Sequence, residues 1–326
     1  IGLIMAYSTI IKPNTNFTPT IYSGTSASHA VSVGFQPDLV WLKPRSVVDA
    51  HRLMNSVSGA GFYLMSNATN AESASGTRFT SFDTDGFTLG DADEGWNQSG
   101  QTYVSWNWLA GGTASSNTDG SITSSVSANT TAGFSIATYT GTGAVSTVGH
   151  GLGVKPDIII IKTTNNAEIW RVYSSVLGAT QGGSLDESVS FSSTGSFNST
   201  EPTSNVFTVS GQAAVGASSS NYLAYCFASV KGFSKFGSYV GNGNADGTFV
   251  YTGFKPAYLM IKRTDSANAW IIQDNKRDPF NVVTLNLNAN TTGSDNNNQG
   301  FLDFTSNGFK LRKVDTGTNA SGGSYI

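Results

Sequence analysis

Charge is what this sequence has least of. Charged side chains make up 12% of its 326 residues, about half of the roughly 25% usual in soluble domains. The formal net charge of −3 leaves no electrostatic footprint for nucleic acid or for an anionic membrane surface. A single cysteine excludes an internal disulfide. The three histidines, His29, His51 and His150, have no metal-ligand spacing among them. No apolar run approaches the twenty or so residues of a membrane span. Ile1 to Ile4 lie ahead of Met5-Ala6, which reads as an ordinary translation start, and are too short and uncharged for a signal peptide.

Ser, Thr and Asn fill the space that Lys and Glu normally take, with 37 glycines and an aromatic fraction of 11%. Ser, Thr and Asn compete for backbone hydrogen bonds and Gly carries an entropic cost, so the composition disfavours helices and suits strands and turns.

One pattern occurs three times. Gly34-Phe35-Gln36-Pro37 leads into Asp38 to Lys43, Gly153-Val154-Lys155-Pro156 into Asp157 to Lys162, and Gly253-Phe254-Lys255-Pro256 into Ala257 to Lys262. Gly-x-x-Pro sets a bend. The apolar run that follows is too short for an ordinary helix and predicts a strand buried on both faces. Eight residues beyond the lysine stand His51, Trp170 and Trp270. Further on come Phe87, Phe207 and Phe309, and then Tyr103, Tyr222 and Tyr325. Each unit opens with a strand pattern ending in glycine, at Phe17 to Gly24, Phe134 to Gly141 and Phe233 to Gly241. Five landmarks in the same order describe one unit in triplicate.

The resulting expectation is an all-β chain of three tandem antiparallel β-sandwich domains, jelly-roll or lectin-like. Residues 1–15 are an N-terminal arm, 16–110 the first repeat, 111–132 a Ser/Thr/Gly-rich linker that is extended or mobile, 133–230 the second repeat and 231–326 the third. Val104, Trp106 and Trp108 alternate with polar residues, which predicts a strand with one buried face. Asp246-Gly247 predicts a hairpin. The third repeat stops inside its last strand, so the natural chain is expected to continue past Ile326. A straight rod and a compact pseudo-threefold cluster both fit the repeat.

Few residues suggest chemistry. The histidines and Cys226 occupy positions where sibling repeats carry unrelated residues, which favours packing roles. Asp91, Asp93 and Glu94 form an acidic loop that could take a hard cation, although a solvated loop is the plainer reading. Glu168, Asp186, Glu187 and Glu201 have no counterparts in the siblings, and no G-x-S-x-G occurs. Catalysis, cofactors and metals are therefore not expected. Trp170 and Trp270 recur at one repeat position and predict core packing. Trp96 has no repeated partner, so the ligand-contact candidates are Asp91, Asp93, Glu94, Trp96 and Asn97.

Met5 to Ile10 with Lys12-Pro13, Trp106-Asn107-Trp108, Ser116 to Thr123, Val126 to Phe134 and above all Gly232-Phe233-Ser234-Lys235-Phe236-Gly237-Ser238-Tyr239, running on to Pro256, resemble tandem-repeat proteins of tailed, especially marine, bacteriophages. The resemblance touches all three repeats. It implies a virion structural protein, a tail fibre or other appendage, which adheres to host-surface glycan and contacts other virion proteins. Symmetric homo-oligomers, trimers among them, are expected by analogy, with no nucleic acid and no membrane insertion. A polysaccharide-degrading enzyme and a ligand-free filament or capsid-decoration subunit are the alternatives.

Overall fold

In the computed structural model, which describes residues 8, 10–90 and 93–326, the chain is all-β. The sole helical element among the described residues is a 3-10 turn at Pro13–Thr15, and the sheets are antiparallel throughout.

The three units use one strand order. Phe17–Ser23 pairs with Thr102–Trp108, which pairs with Leu39–Pro44, which pairs with Arg52–Asn55. In the second unit the same order runs Phe134–Thr140, Asn221–Phe227, Ile158–Thr163, Arg171–Ser174. In the third, Tyr239–Val240 pairs with Ser324–Tyr325. Lys262 and Ile326 then exchange both backbone bonds at 3.0 Å, and Tyr258–Lys262 pairs with Trp270–Asp274. The last strand of each unit thus lies between its opening strand and its buried strand.

Smaller pairings cover one face of each main sheet. They are His29–Ser32 with Gly86–Leu89, Ser146–Gly149 with Val206–Val209, and Phe249–Tyr251 with Gly308–Leu311. Between the layers lies a core private to each unit, which includes Val40, Leu42 and Phe87 in the first, Ile159, Ile161 and Phe207 in the second and Ile261, Phe309 and Leu311 in the third.

The opposite faces of the main sheets meet one another. Leu39, Trp41 and Trp106 of the first unit, Ile160, Trp170 and Tyr225 of the second, and Trp270, Ile272 and Leu287 of the third belong to one common hydrophobic cluster. This explains why the run ahead of each lysine is apolar at successive positions: alternate side chains enter the private and the common core. It also corrects the one-faced reading of Thr102–Trp108, where Ser105 and Asn107 are buried as well.

Three sets of ties close the units into a ring. Lys162 Nζ donates to Thr69 O at 3.0 Å, Lys262 Nζ to Ser188 O at 3.0 Å and Lys43 Nζ to Thr292 O at 3.3 Å. Trp170 Nε1 donates to Met65 O at 2.9 Å and Trp270 Nε1 to Ser184 O at 2.8 Å, while His51 Nε2 lies 3.0 Å from Asn288 O. Backbone N–H groups of Glu72, Phe191 and Asp295 donate to the carbonyls of Thr164, Thr264 and Arg45. In every set the second unit touches the first, the third the second and the first the third. The compact pseudo-threefold arrangement is the one the chain adopts.

Two local expectations are corrected. Residues 111–132 are not a free connector: Ser115–Asn117 and Ser124–Asn129 add two strands to the sheet of the second unit, because Ile122 and Val126 find burial in its private core. Asp246-Gly247 does not close a hairpin. The flanking strands pair into different sheets, Tyr239–Val240 with Ser324–Tyr325 and Phe249–Tyr251 with Gly308–Leu311, so the turn carries the chain between layers.

Candidate functional site

The loop from Asp93 to Gln101 is built inward. A pair of stacked tyrosines, Tyr22 and Tyr103, with centroids 4.9 Å apart, holds it. Tyr22 Oη donates to Trp96 O at 2.8 Å, and Tyr103 Oη donates to Glu94 O at 2.7 Å while accepting from Gln98 N at 2.9 Å. The second unit repeats the device with Tyr139 and Tyr222 on Val215 O and Ala213 O, the third with Tyr239 and Tyr325 on Thr318 O and Thr316 O. Gly24, Gly141 and Gly241 pass so close to these loops that a Cβ would lie 2.1, 2.4 and 2.3 Å from a backbone oxygen, hence the glycine ending each opening strand.

Of the ligand-contact candidates, Asp91 lies outside the described residues. Asp93 is engaged: its carboxylate pairs with Arg78 at 2.9 Å and accepts the Gly95 N–H at 3.0 Å. Glu94 is exposed. Trp96 is only 1% exposed, packed edge-on against Tyr63 with the Arg52 guanidinium 5.0 Å from its ring centroid, so it offers no stacking platform. Asn97 is fully buried. It accepts from Thr25 N at 3.0 Å and donates to Ala27 O at 2.6 Å and Gly90 O at 3.0 Å. Asn319 pins the third loop in the same way, on Asn242 N, Asn244 O and Lys313 O. Trp96 and Asn97 are thus structural. The signal in the sequence was the recurrence of Asn at 97 and 319, six residues before Tyr103 and Tyr325.

Among the described residues no group of three His, Cys, Asp or Glu could hold a metal ion, and no helix is long and apolar enough to cross a membrane. Cys226 is buried and its thiol is pushed up to about 12 by desolvation, which leaves it a packing residue. His51 accepts the Trp41 indole N–H on Nδ1 at 2.9 Å, so Nε2 carries the proton offered to Asn288. Burial holds its pKa well below the ordinary histidine value. It is a neutral stand-in for the sibling tryptophans.

Where the third unit meets the first, charge is buried. Arg277, fully enclosed, binds Asp274 at 2.6 Å and Asp295 at 2.7 Å, and Asp295 binds Arg45 at 2.7 Å. Trp106 Nε1 donates to Asp274 at 3.0 Å, and the Arg277 guanidinium lies 5.6 Å from the Trp106 ring centroid. Desolvation alone would raise Asp274, but the Arg277 charge and the bonds it accepts hold its pKa below the usual carboxylate value. Every member is spoken for, so this cluster joins units and has no free group for chemistry.

The open feature is a cleft of about 700 Å³ that reaches into the common core. Its lining includes Trp108, Phe134, Phe227, Phe233, Phe236 and Tyr258. One wall is the edge of Tyr258–Lys262 and the other the segment from Phe233 to Tyr239.

Comparison with curated proteins and with solved structures found no match. A family model, described as a domain of unknown function (DUF7483), matches residues 12–326 and so takes in all three units. The chain belongs to that family, DUF7483.

Proposed function

We propose that the chain is a structural component of a bacteriophage particle, a rigid module of a tail fibre or other appendage built from three sandwich-like repeats. The observation that carries this reading is the ring itself. The residues that recur, namely the strand lysines, the Trp/His position and the tyrosine pairs, are spent on binding backbone and joining units. A chain whose recurring polar residues all serve rigidity is suited to bearing load and presenting loops. The phage assignment rests on the sequence resemblance at Gly232 to Pro256 and the stretches that accompany it. Adhesion to host glycan is the lesser part of the proposal, since of the candidate loop Glu94 offers an uncommitted solvent-facing carboxylate and Trp96 offers no ring.

Immunogold labelling of purified particles with an antibody against the third repeat tests the assignment. Gold on fibres or tail tips supports it, gold over the capsid moves it to a decoration role, and unlabelled particles overturn it.

A further inference from the structure

The three joints of the ring share an outline but differ in chemistry. An indole N–H crosses the first joint, from Trp170 to Met65 O, and another crosses the second, from Trp270 to Ser184 O. Two backbone bonds accompany each indole. They are Glu72 N to Thr164 O with Glu168 N to Thr69 O, and Phe191 N to Thr264 O with Asn268 N to Ser188 O. At the third joint, between the third and first units, the imidazole of His51 replaces the indole. Only one backbone bond of the pair forms there among the described residues, Asp295 N to Arg45 O.

The geometry admits one protonation state of that imidazole. His51 is fully buried. Its Nδ1 accepts the Trp41 indole N–H at 2.9 Å, and its Nε2 offers a proton to Asn288 O, 3.0 Å away across the joint. An indole nitrogen only donates. A second proton on the ring would occupy Nδ1 and point at the indole N–H, setting two donors face to face.

The surroundings oppose that proton as well. The charges that bear on the ring are all positive: Lys43 from the buried strand, Arg277 from the third unit and Arg52 from its own strand. Burial and these three charges keep the imidazole neutral. The carboxylates of the joint are committed, Asp49 to Arg52, Asp274 to Arg277, and Asp295 to Arg277 and Arg45. Trp106 stacks on His51 with centroids 6.4 Å apart and spends its N–H on Asp274.

The other joints do not share this sensitivity. At the first, Glu72 Oε1 is buried without a partner among the described residues, and so is Oδ2 of Asp186, which holds Trp170 N. Burial raises both carboxyls, so a proton relieves them. At the second, Trp270 N is held by the amide of Asn290, which does not titrate. His150 is also buried and neutral, but its partners, Thr203 O and Leu152 N, lie within the second unit.

We infer that the ring is an acid-sensitive clasp, in which mild acid opens the joint between the third and first units ahead of the other two and His51 is the releasing residue. Opening frees Nδ1 and admits water, so the open form takes the proton that the closed form refuses. The joint is at full strength above about pH 6.5, and the closed-to-open ratio falls by up to about tenfold for each pH unit below that. Asp274, held low by Arg277, adds to the loss only below about pH 4.

The amides of Glu72, Phe191 and Asp295 occupy equivalent places and report the three joints separately. The test is amide hydrogen exchange of the 326-residue chain at pH 7 and pH 5, corrected for the intrinsic pH dependence of exchange. Asp295 should lose about tenfold or more of its protection while Glu72 and Phe191 keep theirs. His51→Gln retains a donor and an acceptor but takes no proton, and should abolish the loss at Asp295. His51→Trp, the residue of the sibling joints, should do the same. Unchanged protection at Asp295, an equal loss at all three amides, or a loss at Asp295 that survives the substitutions would overturn the inference. NMR titration of the His51 imidazole needs no variant: a ring that gains its proton near pH 6.5 with Asp295 still protected would overturn it too.

Discussion

The carboxylate of Asp186 accepts the backbone N–H of Trp170 at 3.0 Å, a task that the amides of Asn67 and Asn290 perform for His51 and Trp270. One carboxylate oxygen serves that bond, and the other is buried without a partner among the described residues. Burial raises the Asp186 pKa to about 6.

Asp186→Asn should therefore stabilise the chain. A carboxyl with a raised pKa in the folded state loses stability as pH climbs from about 4 to about 6, and the whole penalty is present at pH 7. The amide removes it, and a gain of about 1–2 kcal/mol at pH 7 is expected. Urea unfolding at pH 4 and pH 7 checks this: the gain should shrink in acid. Equal stability of the two proteins at pH 7 would contradict it.

The three strand lysines give the ring an alkaline optimum. Desolvation brings Lys43, Lys162 and Lys262 down to about 8. Between about pH 8 and 10 the unfolded chain holds these protons more firmly than the folded one, so stability rises with pH, by at most about 1.4 kcal/mol per unit for each lysine. The Cys226 thiol works against this above pH 9, with one proton against three. Above pH 10 the buried tyrosines reverse the slope, because Tyr22, Tyr139 and Tyr239 have raised pKa values and ionise in the unfolded chain first. Denaturation midpoints should increase from pH 7.5 to about 9.5 and then fall. A flat profile, or one that falls from pH 7.5, would show that the ammoniums are well solvated.

Removing Arg277 from the buried cluster should be severe. Arg277→Ala leaves the enclosed Asp274 carboxylate without its cation, at a cost of about 3–5 kcal/mol, whereas Asp274→Ala should cost less because Arg277 keeps its pair with Asp295. An Arg277→Ala, Asp274→Ala double variant should lose less than the sum of the two singles. Equilibrium unfolding of the three variants gives the comparison, and additive losses would mean that the two groups act independently.

Tyr103→Phe removes a hydroxyl that both donates to Glu94 O and accepts from Gln98 N. The expected cost is about 1–3 kcal/mol, with faster amide exchange at Gln98 than in the unaltered chain. Tyr222→Phe should behave alike in the second unit. If Tyr103→Phe leaves exchange at Gln98 unchanged, the tyrosine pair does not hold the loop.

The all-β character and the recurring strands were legible because recurrence at matched positions reports a shared backbone role. The ring was not. Each buried strand ends in a lysine, but nothing local marks Thr69, Ser188 or Thr292 as its acceptor from another unit. Trp96 misled for the opposite reason: the absence of a sibling tryptophan suggested a surface role, but Val215 and Thr318 fill the same buried loop position. The Asp246-Gly247 turn shows that local turn chemistry does not say which strands will pair.

Closure has a consequence for how such a chain can vary. In an open array each repeat needs only its neighbours, and copies can be gained or lost at the ends. Here Arg45, in the first copy, answers to Asp295, in the third. A fourth copy would find no acceptor for its lysine, and a loss would strand two unlike edges. A closed circle therefore fixes its own copy number, and substitution within each third is the change it can absorb without opening.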